Sequence, residues 1–177
     1  MAVYVNTFFE VRVQQLLDLA NLVEQMFASA GLEYRVVGGL ARYLYVEEAE
    51  PDAGRLTKDI DIAVRREDIE KIARAAEPFG LEYRGVAGGG RPARTGAAPN
   101  RRAINLRVAP ELGPVRTNKG IRLVQLPDLI QMKLTSFRPK DQMHLKDMDD
   151  VGLITSEVQA GLPPALNERL AEVRARE

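Results

Sequence analysis

Thr57-Lys58-Asp59-Ile60-Asp61 carries the densest chemical content in this chain. Polar and apolar residues alternate at the start of 59–64, which predicts a β-strand with Asp59 and Asp61 on one face and Ile60 and Ile62 on the other. Two carboxylates roughly 7 Å apart along a strand repel each other in an apolar setting. A divalent cation removes that cost. Mg²⁺ takes hard oxygen ligands, commonly one or two carboxylates completed by phosphate oxygens. The same alternation suits a strand edge facing solvent, so the pair alone leaves both readings open. About twenty residues earlier, Val36-Val37-Gly38-Gly39-Leu40-Ala41 reads as a strand that ends in two glycines and opens a helix. Glycines let the backbone approach a ligand closely, and unpaired N–H groups at a helix start favour phosphate. A tight turn with positive φ would require the same glycines. A phosphate cradle and a metal-ready carboxylate pair, in this order and this close, say more together than either does alone.

These residues need elements to hold them. Asn6 is placed to cap a helix over 8–28, whose stripe is Val11, Leu16, Leu17, Ala20, Val23 and Phe27, and Gly31 is placed to end it. Strands are expected at 34–37, 59–64, 81–86, 103–108 and 121–126, with a short helix at 40–46 and a loop at 47–56. A helix runs from about Glu67 to near Gly80, and the Gly-, Pro- and Arg-rich 87–101 reads as a mobile loop. Pro127 sits at a helix start, and further helices are expected at 140–154 and 164–176. The order predicts an α/β (α+β) fold, a mixed sheet of about five strands flanked by helices, with C-terminal helices. It is one domain over 1–177: an N-terminal helix (1–31), a sheet core (33–126) and a helical part (127–177).

The chain has 177 residues, 45% hydrophobic and 28% charged, an ordinary globular composition. It has no cysteine, which excludes a disulfide scaffold, a thiolate nucleophile and Cys-based metal sites, and its single histidine, His144, excludes multi-His sites. No apolar run reaches the roughly 18–20 residues of a membrane span, and the N-terminus lacks a signal-peptide pattern. A cytoplasmic protein with no membrane partner is expected. The 25 basic and 25 acidic residues cancel, but residues 85–120 hold Arg91, Arg94, Arg101, Arg102, Arg107, Arg116 and Lys119 against Glu111 alone. Such separation can focus a field on an anionic ligand, or it can be a set of solvated faces.

The chain resembles the nucleotidyltransferase superfamily of polymerase β-like fold, and within it the minimal and AbiEii-type members of bacterial toxin–antitoxin and abortive-infection systems. Gly38 and Gly39 match the family's glycine pair. Arg55, Thr57, Asp59 and Asp61 match an R-x-T-x-D-x-D form, with Lys58 at a variable position. Residues 126–134 (LPDLIQMKL), Arg138-Pro139-Lys140-Asp141, His144, Leu145 and Asp147 extend the likeness, which covers about 33–155. The resemblance implies transfer of a nucleoside monophosphate from an NTP to a hydroxyl, with Mg²⁺ (or Mn²⁺) at the site. It implies nucleotide binding by Gly38, Gly39, Thr57, Lys58 and Lys133, and metal binding and catalysis by Asp59 and Asp61. The acceptor would be a tRNA end, a protein side chain or a small molecule, and a cognate antitoxin would be a partner.

One departure matters. The family's third carboxylate lies on a later strand, and the matching position in Ala103-Ile104-Asn105-Leu106-Arg107-Val108 is Asn105. Its carbonyl oxygen can still ligate a metal weakly, but it is uncharged and a poor general base. Glu111 is the nearest acid in sequence, beyond Pro110. A catalytically silent nucleotide- or partner-binding module is therefore the alternative. An aminoglycoside-type enzyme is a third reading, opposed by the basic stretch if that lines the site. His144 reads as a packing or hydrogen-bonding residue, Asp141 as a partner for Arg or Lys that fixes the last helices, and Asp147, Asp149 and Asp150 as a solvated helix face. The basic 91–102 segment could grip a phosphate backbone; it has no aromatic residue for base stacking.

Overall fold

The computed structural model describes residues 2–84, 91–94 and 104–176. Helix α1 (Ala2–Ser29) buries Leu16, Leu19, Ala20, Val23, Met26 and Phe27, one stripe at three- and four-residue spacing. It begins ahead of Asn6, which is therefore not its cap; no Gly or Pro among residues 2–8 interrupts it. Gly31, at φ +63°, follows its end. Next come β1 (Arg35–Val37), α2 (Gly38–Ala49), β2 (Ile60–Val64), and α3 (Ile69–Ala76) between two short 3₁₀ turns. Then β3 (Leu81–Arg84), β4 (Arg91–Arg94), β5 (Ile104–Val108), β6 (Val115–Asn118) and β7 (Ile121–Val124) precede the helices α4 (Leu126–Ser136), α5 (Pro139–Asp150), α6 (Ser156–Ala160) and α7 (Pro164–Arg174).

Five strands form the mixed sheet, in the order β5-β2-β1-β7-β6. β1 is antiparallel to β2 and parallel to β7, β2 is parallel to β5, and β6–β7 is an antiparallel hairpin. The strand count matches the expectation, but the membership differs. β3 pairs with β4 in a separate two-stranded ladder instead of joining the sheet. Part of the segment read as a loop, 87–101, is thus strand, and its remainder lies outside the described residues. β6 takes the vacated place. Val115-Arg-Thr-Asn118 has no buried residue, as an edge strand can, so hydrophobic alternation did not announce it. Its turn residues, Lys119 (φ +49°) and Gly120 (φ +76°), are both in the left-handed region that a two-residue hairpin of type I′ requires.

Helix α2 runs longer than expected at both ends, and α5 stops at Asp150 because Gly152 (φ +76°) turns the chain. α1 packs on β7 and α3. α2 packs on β1 and β2 and is met by α4 and α5, and α7 closes over α4 and α5. Val36, Ile60, Ile62, Leu40, Leu44, Leu123, Leu129 and Leu145 are buried where these layers meet. Among the described residues no helix is long and apolar enough to cross a membrane.

Candidate active site

The turn from β1 into α2 places Gly38 and Gly39 in the first turn of the helix, with Val37 as an N-cap that offers no side-chain hydrogen bond. The first amides of α2 are therefore left without a capping side chain. Both glycines are demanded by close approach. A Cβ on Gly38 (φ +67°) would stand 2.6 Å from Asp61 Oδ2, and one on Gly39 would stand 2.5 Å from Thr57 Oγ1. The antiparallel register Val37↔Asp61 explains the first contact: the strand that ends in the glycines lies beside the strand that carries the carboxylate. The glycine pair and the Asp-x-Asp segment, read separately from the sequence, are one locus.

β2 starts at Ile60, so Asp59 lies in the bend just before the strand, and the expected alternation holds over Ile60-Asp61-Ile62 alone. Ile60 and Ile62 are buried, while Asp59 and Asp61 are half-buried. Thr57 is buried and its hydroxyl donates weakly to the Asp59 carbonyl at 3.4 Å; Lys58 is exposed. In the parallel β2–β5 ladder Asp61 stands opposite Asn105. Asn105 is thus the neighbouring-strand residue at the carboxylate, and Glu111 is an exposed residue beyond β5. Two positions further along β5, Arg107 places Nη2 3.2 Å from Asp61 Oδ1. Sequence reading counted Arg107 only as part of a basic stretch.

Lys133 approaches from α4 and is 4% exposed. Its Nζ lies 2.9 Å from His144 Nδ1 and 3.8 Å from Asp141 Oδ1. Burial holds the ammonium down to a pKa of about 8; Asp141 and Asp61 pull it up, and Arg42 and Lys140 push it further down. Asp61 is thus close enough for its charge to act on Lys133. His144 is pushed down to about 3, first by burial and then by Lys133, Arg42 and Lys140. Asp141 bonds Ser136 Oγ at 2.7 Å and Arg138 Nε at 2.8 Å, and closes a capping box at the start of α5. Burial raises its carboxyl, but those hydrogen bonds and Lys133 outweigh it and leave it below the ordinary value.

Asp147 corrects an expectation. It is no solvated helix residue: its side chain is 9% exposed, and its carboxylate sits 3.5 Å from Arg42 Nη1 and 3.1 Å from Arg55 Nε. Arg42 is 1% exposed and also donates to the Arg55 carbonyl at 2.7 Å. This cluster fastens the segment that delivers Thr57 and Asp59 to α2 and α5. The clue in the sequence is a lone cation within the otherwise apolar 40–46. Asp149 also binds inward, to Arg174 at 2.7 Å, whereas Asp150 is exposed beside Lys146. The basic stretch is likewise engaged. Arg116 pairs with Glu48 at 2.7 Å, Lys119 with Glu47 at 2.9 Å, and Arg107 with Asp61. Arg101 and Arg102 lie outside the described residues.

Among the described residues no cluster of three or more His, Cys, Asp or Glu is set to hold a metal. The donors at hand are two carboxylates and the Asn105 amide. That set fits Mg²⁺ or Mn²⁺ whose remaining ligands are phosphate oxygens and water, and the uncapped first amides of α2, beside Asp61, suit a phosphate.

No family model and no curated protein matches the chain by sequence. Solved structures do match in shape. An antigenic nucleotidyltransferase-like protein from Paracoccidioides brasiliensis superposes over 88% of this chain and 85% of its own, with a TM-score of 0.60 at 16% identity. ANT(2")-Ia, in complex with adenylyl-2"-tobramycin, superposes over 90% of this chain and 98% of its own, with a TM-score of 0.54 at 14% identity. The chain has the nucleotidyltransferase fold. The glycine turn and Asp61 lie together at the end of its central strands.

Proposed function

We propose that the protein binds an NTP and transfers its nucleoside monophosphate to an acceptor hydroxyl. The observation that carries this reading is the fit of Gly38 against Asp61: 2.6 Å separates a would-be Cβ from Oδ2, so only a glycine lets the uncapped first turn of α2 lie against the carboxylate. The α2 amides hold the polyphosphate, Thr57 and Lys58 line its approach, and Lys133 offers a buried positive charge on the Asp61 side. Asp59 and Asp61 hold Mg²⁺ or Mn²⁺, with Asn105 as a weak neutral ligand. The bound ion supplies charge neutralisation on the phosphates and a more acidic acceptor hydroxyl. In the transfer, the acceptor oxygen bonds to the α-phosphorus, the α–β bridging bond breaks, pyrophosphate leaves and the hydroxyl proton passes to solvent.

The R-x-T-x-D-x-D form supports an AbiEii-type role, as a toxin held by an antitoxin, with a tRNA end or a protein hydroxyl as acceptor. ANT(2")-Ia was solved with an adenylylated aminoglycoside. A polycation of that kind suits this site poorly, because Arg107 is exposed at its edge. The test is label transfer from each α-labelled NTP, with Mg²⁺ or Mn²⁺, onto pools of cellular RNA and protein. Label is expected on one pool, and Asp59→Ala/Asp61→Ala is expected to reduce it to background. Equal labelling by that variant would refute the reading.

A specific observation favours a second reading, a silent binding module. Asn105 stands opposite Asp61, where it brings no charge and accepts no proton. Asn105→Asp separates the two. A positioned base contributes roughly a hundred- to ten-thousand-fold. A rise in transfer of at least about tenfold is expected if the acid alone is missing; nucleotide binding without transfer in both proteins makes the chain a binding module.

A further inference from the structure

The β5 strand changes the charge at this site twice. Asn105 is neutral opposite Asp61, and Arg107, two residues on and on the same face, adds a cation. Arg107 Nη2 lies 3.2 Å from Asp61 Oδ1, and the side chains are 57% and 22% exposed. The guanidinium therefore lies at the surface beside the carboxylate and is not locked in a core. An exposed arginine on a long side chain can leave its partner at small cost. While it stays, a divalent cation on Asp61 must share that carboxylate with a positive charge a few ångströms away. Even at the dielectric of water, unit and double positive charges about 5 Å apart repel enough to weaken binding by roughly tenfold. Asp61 Oδ2, the other oxygen, faces the glycine turn. A polyphosphate on that turn would bring anionic oxygens next to Arg107, and guanidinium binds phosphate through paired hydrogen bonds.

We infer that Arg107 is a charge gate. In the nucleotide-free protein it is the counter-ion of Asp61 and holds divalent cations off. When an NTP binds, it transfers to the polyphosphate and frees Asp61, so metal and nucleotide enter together. This rests on the proposed nucleotide site. The asymmetry it creates is a protein that binds Mn²⁺ poorly alone and well with nucleotide.

The test is Mn²⁺ binding followed by the EPR signal of the free ion, with and without a non-hydrolysable NTP analogue. R107Q is expected to bind Mn²⁺ about tenfold more tightly than wild type without the analogue, and to bind the analogue about tenfold more weakly. R107K, which keeps the charge, should stay near wild type in the first measurement. D61N should lose the ion, alone and combined with R107Q, which places the ion at Asp61. Equal, finite Mn²⁺ affinity in wild type and R107Q overturns the gate and leaves the metal reading of the site intact. Absence of Mn²⁺ binding in every protein, with or without the analogue, overturns both.

Discussion

Gly38→Ala is expected to lower the melting temperature by roughly 5–15 °C and to weaken NTP binding by at least about tenfold, whereas Gly80→Ala is expected to cost only a few degrees. The two glycines share φ +67° and differ in surroundings. Placing an L-residue in that region costs about 1–2 kcal/mol, and each kcal/mol is worth about 2–4 °C in a chain of this size. At Gly80 nothing lies within 4 Å of the added Cβ, so the cost ends there. At Gly38 the Cβ would meet Asp61 at Oδ2 (2.6 Å), Cβ (3.0 Å) and Cγ (3.1 Å). Those atoms belong to a strand paired in register and cannot all yield. Overpacking of this kind adds about 1–3 kcal/mol, and the displaced carboxylate is the one assigned to metal. Calorimetry of both variants, with Asp61→Ala and Gly38→Ala/Asp61→Ala completing a double-mutant cycle, checks the cause. Removing Oδ2 and Cγ should return most of the excess, a coupling of about 1 kcal/mol or more. Additive costs would show that the strain is conformational alone.

What the sequence made legible here has a physical basis. Ile60 and Ile62 against Asp59 and Asp61 is a local pattern, and a strand with one apolar face can bury only that face. Gly38 and Gly39 were legible because few other reasons place two glycines between a buried strand and an apolar helix. Asn105 was found through the resemblance, as the polar residue at the family's third-carboxylate position in an apolar strand, and the parallel register sets it opposite Asp61. The missed ion pairs share one cause. Arg107 and Asp147 look like ordinary surface charges until a partner from another element arrives, and even Arg42, marked as a lone cation in an apolar run, does not name its partner. β6 failed differently: an edge strand without a buried face carries its information in its turn, Asn118-Lys119-Gly120, and not in its hydrophobicity.

The imidazole of His144 is expected to remain neutral in the folded protein down to about pH 3, far below its ordinary 6.5. Burial is the largest cause, and the cations Lys133, Arg42 and Lys140 add to it while Asp141 opposes. At neutral pH Lys133, with its pKa near 8, still carries its proton and can donate to Nδ1 at 2.9 Å. The ring proton is then on Nε2, and His144 acts as an acceptor that orients Lys133. Between about pH 6.5 and 3 the unfolded chain binds a proton that the folded chain refuses. Stability therefore falls as pH falls through that window, by about 1.4 kcal/mol per pH unit. Lys133 acts on the alkaline side. Its folded value of about 8 lies below the ordinary 10.5, so the cost of burying its charge is present below pH 8 and is relieved as pH rises toward 10.5. Because His144 is the single histidine, one imidazole signal in NMR reports the acid side directly. An unchanged shift from about pH 7 to 4, below the Lys133 titration, is expected, together with a shallower acid-side slope of stability in His144→Gln, which keeps an acceptor for Lys133. A titration midpoint near 6.5 in the folded protein would show that the ring reaches water. Lys133 would then lack the fixed partner that aims its charge toward Asp61.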